Sequence, residues 1–216
     1  MLHQTDGTSG PARVRVVPFD GAHAGALVRF FLALSPRSRH LRFLAAGVGA
    51  TAQQLAPLLR ADGDAHVAHL AIADGEVVGE ARFARHAPGR ASAELALAVA
   101  DQWQGRGVGG RLLDALLVDA ARRGIRRLTF DVLADNRRAL ALLARYGARW
   151  TVRDGVAAGD LPGQLVATPP AVRREGQPRS AASLRVATVV LLAARRLAIL
   201  VARAGVVRAA VAAVGR

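Results

Sequence analysis

Apolar positions along this chain follow two rhythms, a period of two in some stretches and a helical period in others. Residues 14–17 predict a first strand, ended by Pro18. Asp20 is placed to cap a helix running to about Leu34, with Leu27, Phe30, Phe31 and Leu34 on one side. Ser35-Pro36 breaks that pattern, and Thr51 suits the cap of a second helix through Leu59. Residues 67–73 and 77–85 predict two strands joined by a tight turn at Asp74-Gly75. Residues 92–100 alternate as a further strand. After them, Val108, Leu112, Leu113, Leu116, Leu117, Ala120 and Ala121 recur at helical spacing, and Gly124 is placed to stop the helix. Residues 127–133 alternate again. Asp135 or Asn136 then starts a helix to Tyr146, closed by Gly147. Residues 149–153 and 164–168 are expected to supply the last strands. Strands alternating with helices imply an α/β layered domain.

That domain is expected over residues 13–168. Residues 1–12 are polar, contain Gly, Ser and Pro, and hold no apolar core segment; they read as a flexible start without a signal peptide, so the cytoplasm is the expected place. Residues 169–183 carry Pro169-Pro170, Pro178 and several arginines and serines, as a linker does. Residues 184–216 become apolar and helix-favouring again. This basic tail is interrupted by Arg195-Arg196, too early for a membrane span of ~20 apolar residues. On a helical wheel Arg185, Arg196 and Arg203 fall within about 20° of one another. Such a helix suits packing on the domain, a second copy of the chain in a homodimer, or an anionic membrane surface.

Charge sharpens this picture. The chain of 216 residues has a formal net charge of +14, and all 30 of its basic residues are arginine. Residues 170–216 hold nine of those arginines against one acid, Glu175. An anionic partner is implied; nucleic acid is one such partner for the tail. The chain has no cysteine, which excludes disulfides, a thiol nucleophile and a cysteine metal site. Its six histidines are scattered, and no metal site is expected.

The candidate chemistry centres on Gln104-Gly105-Arg106-Gly107-Val108-Gly109, at the junction of a predicted strand and a predicted helix. A glycine-rich turn that opens a helix aims unpaired N–H groups outward, and the helix dipole adds positive charge there. Glycine lets a ligand come close to the backbone. The expected product is a phosphate or pyrophosphate pocket. Arg106 and Arg111 can add charge. The run lacks the Gly-Lys-Ser/Thr of a nucleoside-triphosphate loop and the full dinucleotide fingerprint. In the strand before it, Glu94 shares a face with Ala96 and Ala98, while Leu95, Leu97 and Val99 point the other way. Small residues in line with a carboxylate make a groove floor, and a carboxylate can deprotonate an ammonium acceptor. Taken alone, Glu94 reads as a solvated or salt-bridged strand carboxylate, Tyr146 as a core aromatic and Asn136 as a helix cap.

Gln104, Gly107 and Gly109 meet the Gln/Arg-x-x-Gly-x-Gly/Ala pattern of the coenzyme A pyrophosphate loop, and residues 13–153 resemble the GNAT acetyltransferases. The resemblance implies the GNAT fold, a mixed central sheet flanked by helices, and acetyl-CoA as cosubstrate. It implies pyrophosphate contacts from Gln104 to Gly109. It implies main-chain contacts to pantetheine from Leu97, Ala98 and Val99, and a coenzyme contact from Asn136. It implies Glu94 as general base and Tyr146 as the acid that protonates the leaving thiolate. Residues 34–43 and 93–109 resemble the bacterial Pat-type protein lysine acetyltransferases, so a protein lysine is the expected acceptor. A small amine is the alternative, and a coenzyme-A-binding module without catalysis is a third. No Gly-x-Ser-x-Gly elbow is present, so direct attack of the amine on the thioester is expected rather than an acyl-enzyme.

Overall fold

The computed structural model describes residues 13–45, 47–49 and 51–163. The predicted strand at 164–168, the linker at 169–183 and the tail at 184–216 lie outside the described residues, as do residues 1–12.

Seven strands form one mixed sheet: β1 (Arg15–Pro18), β2 (His66–Ala73), β3 (Glu76–Arg85), β4 (Ser92–Val99), β5 (Arg127–Leu133), β6 (Arg149–Arg153) and β7 (Val156–Pro162). They lie in the order β1-β2-β3-β4-β5-β7-β6. All neighbours are antiparallel except β4 and β5, which run parallel. That one parallel pair needs a crossover, and the helix between the two strands supplies it. The β4–β5 register is short, Ser92 to Glu94 against Arg127 to Thr129. Beyond Glu94 the two strands part, and the sheet opens into a fork.

Helices cover both faces. On one lies α4 (Val108–Arg122), whose Leu112, Leu113, Leu116 and Leu117 are fully buried against Ala81, Phe83, Ala93 and Leu128 of the sheet. Burying each such leucine contributes about 1.5–3 kcal/mol. The helix α5 (Arg137–Arg145) joins this side through Leu142 and Leu143. On the other face lie α1 (Ala24–Ala33), α2 (Pro36–Phe43) and α3 (Ala52–Leu55), with Leu27, Phe30, Phe31, Leu34 and Leu55 packed on Leu70, Ile72, Val77 and Ala98.

Four local expectations change. The predicted helix after Asp20 begins as a 3-10 turn at Gly21–His23, which Asp20 caps through its side chain, and α-helix follows only from Ala24. Ser35-Pro36 does not simply end structure. Ser35 accepts from the Ser38 N–H and Pro36 fills the first helical position, so a new helix, α2, starts there. The helix predicted from Thr51 to Leu59 keeps its capping box but is α-helical only to Leu55, before Pro57 tightens it into a 3-10 turn. A seventh strand, β7, occupies 156–162, where no strand was expected.

Among the described residues no helix is long and apolar enough to cross a membrane, and no group of three or more potential ligands could hold a metal ion.

Candidate active site

The glycine loop stands where the pattern placed it, between β4 and α4. Gly107 caps α4 with φ 79°, and Gly105 has φ 76°. Both are left-handed positions that glycine occupies without strain. A Cβ on either would meet nothing within 4 Å, so the outer side of the loop is open. Gly109 is different: a Cβ there would come 3.1 Å from Leu142 and 3.7 Å from Leu97. It lets the start of α4 close against β4 and α5. The first-turn N–H groups of α4 thus point out of an open, glycine-lined notch, with no acid in that turn. Arg106 lies over the Trp103 ring, 5.3 Å from its centroid, beside this notch. These features fit a pyrophosphate.

The Gln104 side chain faces inward. Its amide donates to the Val99 carbonyl (3.1 Å) and to Ser38 Oγ (3.3 Å), while its Oε1 accepts from Arg138 (3.2 Å). It braces β4, α2 and α5 around the loop. Asp101 extends the brace: it accepts from Ser38 Oγ (2.6 Å), Ser35 Oγ (2.9 Å) and the Ser35 N–H (3.1 Å). Burial pushes the Asp101 carboxyl up, but the Ser38 and Ser35 hydrogen bonds outweigh it and leave it below its ordinary value. The Ser35-to-Ser38 stretch, legible as a motif in the sequence, is therefore what ties α2 to the loop.

Where β4 and β5 part, a cavity opens between them. Its walls are Glu94 to Leu97 of β4, Phe130 to Val132 of β5, Asn136, Ala139 and Leu142 of the α5 region, Leu41 of α2 and Leu44 just after it. Glu94 stands at the crotch of the fork. Leu97 and Val99 pack toward α4 and Ala98 toward α1, so the edge of β4 carries the main-chain groups of 97–99 past the fork. Asn136 caps α5 by accepting the Ala139 N–H (3.2 Å) and also lines the cavity.

Tyr146, at the end of α5, stands outside that wall. Its hydroxyl donates toward Asp114 Oδ1 (2.7 Å) and lies 3.1 Å from the Gly110 carbonyl. Burial first, and Asp114 second, push the phenol up to about 12, so it keeps its proton at neutral pH.

Sequence reasoning missed two features. Asp131 of β5 faces the same cavity as Glu94, and burial together with the Glu94 charge pushes its carboxyl up to about 6. The second is a buried ionic cluster on the α1/α2 face. Glu80 is wholly buried and accepts from Arg82 Nε, and it pairs with Arg42 of α2 at 3.6 Å. Arg42 lies over Phe31 and Phe43, 5.7 and 5.1 Å from their centroids. Burial lowers the Arg42 pKa, and Glu80 and Glu94 oppose that pull. The Arg-Phe at 42–43 was visible as a motif, but the buried glutamate opposite it was not.

Comparison with known proteins agrees with this geometry. The acetyltransferase (GNAT) family profile matches residues 36–148. The GNAT domain of the S. lividans PAT superposes with a TM-score of 0.63 at 30% identity, covering 71% of this chain and 91% of that one. The chain belongs to the acetyltransferase (GNAT) family. Acetyltransferase Pat of Mycolicibacterium smegmatis is 40% identical over 80 residues, 37% of this chain and 24% of its own length. The mycothiol acetyltransferase of Thermobifida fusca is 37% identical over 119 residues, 54% of this chain and 36% of its own. The chain thus spans only about a quarter to a third of these two relatives.

Proposed function

We propose that this chain transfers the acetyl group of acetyl-CoA to a primary amine, with a protein lysine as the acceptor. The observation that carries the donor is the open notch at Gly105–Gly107 on the N-terminus of α4, which follows β4 in the chain. The resemblance of residues 34–43 and 93–109 to Pat-type enzymes, and the likeness to Acetyltransferase Pat and to the GNAT domain of the S. lividans PAT, support a lysine acceptor. The likeness to a mycothiol acetyltransferase supports the second reading, a small amine.

In this reading the notch of Gly105 to Gly109 holds the pyrophosphate, with Arg106 adding charge. Main-chain groups of Leu97, Ala98 and Val99 hold the pantetheine, and Asn136 stands at its flank. The thioester carbon lies in the fork, where Glu94 takes a proton from the acceptor ammonium. The freed amine attacks the carbonyl carbon, an N–C bond forms and the C–S bond breaks. The second amine proton leaves as the thiolate is protonated, with the Tyr146 hydroxyl as the donor on hand. Holding both reactants in one cleft supplies most of the rate, because positioning replaces a bimolecular encounter.

Calorimetric titration with acetyl-CoA tests the donor half. Wild type binds, and Gly107→Glu loses binding by about tenfold or more, because a side chain strained at positive φ brings negative charge to the phosphate notch. Equal affinity in the two proteins contradicts the assignment of the notch.

A further inference from the structure

We propose that Asp131 is a second catalytic carboxylate, paired with Glu94 across the fork, and that the two act together as the base that deprotonates the acceptor. The proposal rests on the function above and deepens it.

The sheet register brings the two groups to one face. Glu94 is the last β4 residue paired with β5, and its partner is Thr129. Asp131 lies two residues beyond Thr129, so strand alternation puts it on the same face as Glu94. Its neighbours Leu128 and Phe130 point the other way, into the core under α4. Both carboxylates line the cavity between the parting strands. Among the described contacts Asp131 has no hydrogen bond or ion pair, so core packing gives no reason for a carboxylate there.

The surroundings of the two acids differ, and that sets their division of labour. On the Glu94 side, β3 contributes Glu80 and Arg82, and α2 contributes Arg42. Two guanidinium groups there share one buried carboxylate, which leaves one positive charge in excess. Arg42 Nε and Nη2, Arg82 Nη2 and Glu80 Oε2 are buried without hydrogen-bond partners. Glu94 lies within electrostatic reach of Arg42. Toward Thr129 stand His86, whose Nε2 is 3.0 Å from the Thr129 hydroxyl, and Asp160 of β7, with Arg149 of β6 beyond it. The influences on Asp131 are burial first and the Glu94 charge second. Asp131, raised by burial and then by the Glu94 charge, is thus the member of the pair that receives the proton.

The step balances simply. The ammonium loses one proton to the pair, where it rests on Asp131. The neutral amine forms the N–C bond as the C–S bond breaks. The second amine proton ends on the coenzyme A thiolate, and the pair returns its proton to solvent. Two coupled carboxylates titrate as a unit, so the pair rather than either residue sets the acid limb of the rate profile.

Two measurements test this on the full chain. In the first, protein labelled with carboxyl-13C aspartate is titrated, with Asp131 assigned from the signal lost in Asp131→Asn. Asp131 is expected to titrate near pH 6, and to move down in Glu94→Gln. In the second, kcat/KM is followed against pH with acetyl-CoA and a lysine peptide, or spermidine if the peptide is not turned over. Asp131→Asn should move the acid limb down by about one pH unit and lower kcat about 10²-fold, with acetyl-CoA affinity and melting temperature unchanged. Asp131→Glu should recover part of the rate. Normal turnover by Asp131→Asn with its acid limb in place, while Glu94→Gln is inactive, overturns the role of Asp131 and leaves the acetyltransferase reading standing. An Asp131 signal indifferent to Glu94→Gln overturns the pairing as well. If the wild type turns over neither amine, the function and this proposal fall together.

Discussion

Tyr146 is tied into the structure by its hydroxyl, and its proposed role as the acid can be tested separately from that tie. It is the one tyrosine of the chain, and its hydroxyl links the end of α5 to Asp114 in α4. Asp114 and burial keep it protonated, which a general acid requires at neutral pH. Tyr146→Phe is expected to lower kcat by about 10²-fold while leaving acetyl-CoA affinity within about twofold. Unchanged kcat in that variant would assign Tyr146 to packing alone. The glycines of the loop were legible in the sequence because their spacing is local and their conformational demand is severe. Asp131 was not legible. It is an ordinary acid in an alternating strand, and its meaning comes from Glu94, which lies far away in the chain and is adjacent only through the β4–β5 register.

At the scale of elements, α2 was the hardest to read. Its eight residues, Pro-Arg-Ser-Arg-His-Leu-Arg-Phe, show no apolar face, and none is fully buried. The helix is held instead by the Ser35 cap, by Asp101, and by Arg42 anchored on Glu80 and two phenylalanines. None of these is a periodic signal. β7 was missed for a related reason. Gly159 and Asp160 blur its alternation, yet Gly159 is required: a Cβ there would fall 2.1 Å from the Arg149 carbonyl of β6. By contrast α4 was plain, since its buried Val108, Leu112, Leu113, Leu116, Leu117 and Ala120 recur at helical spacing. The Glu80 anchor gives a prediction at this scale. Glu80→Ala leaves two buried guanidinium groups without their counter-charge and should cost about 3–5 kcal/mol, read as a lower urea midpoint. A midpoint within experimental error of wild type would show that the cluster does not hold α2 down. On the opposite face His69 makes the other buried polar contact, 3.1 Å from Asp119 of α4. Burial pulls its pKa below the ordinary value against the attraction of Asp119, so it sits there neutral.

For the whole molecule, the decisive feature is that one sheet contains a single parallel pair that separates after three residues. The separation exposes strand-edge groups in the interior of the domain, where water would otherwise have to satisfy them. The helix that makes the crossover begins close to the same fork, since a Cβ on Gly109 would meet Leu142 and Leu97 of the cavity wall. In the proposed reading, such a chain offers an extended anionic thioester two anchoring regions, with Glu94 and Asp131 beside the place where the two strands part. The arginine-rich tail adds net positive charge to the same chain. The central claim is transfer of acetyl to an amine in that fork. The most direct test is to incubate the protein with acetyl-CoA and a lysine peptide and follow free thiol and peptide mass together, with Glu94→Gln as control. The account predicts thiol release matched one for one by singly acetylated peptide, lost about 10²-fold or more in Glu94→Gln. Thiol release without an acetylated amine, or equal rates in the two proteins, would contradict it.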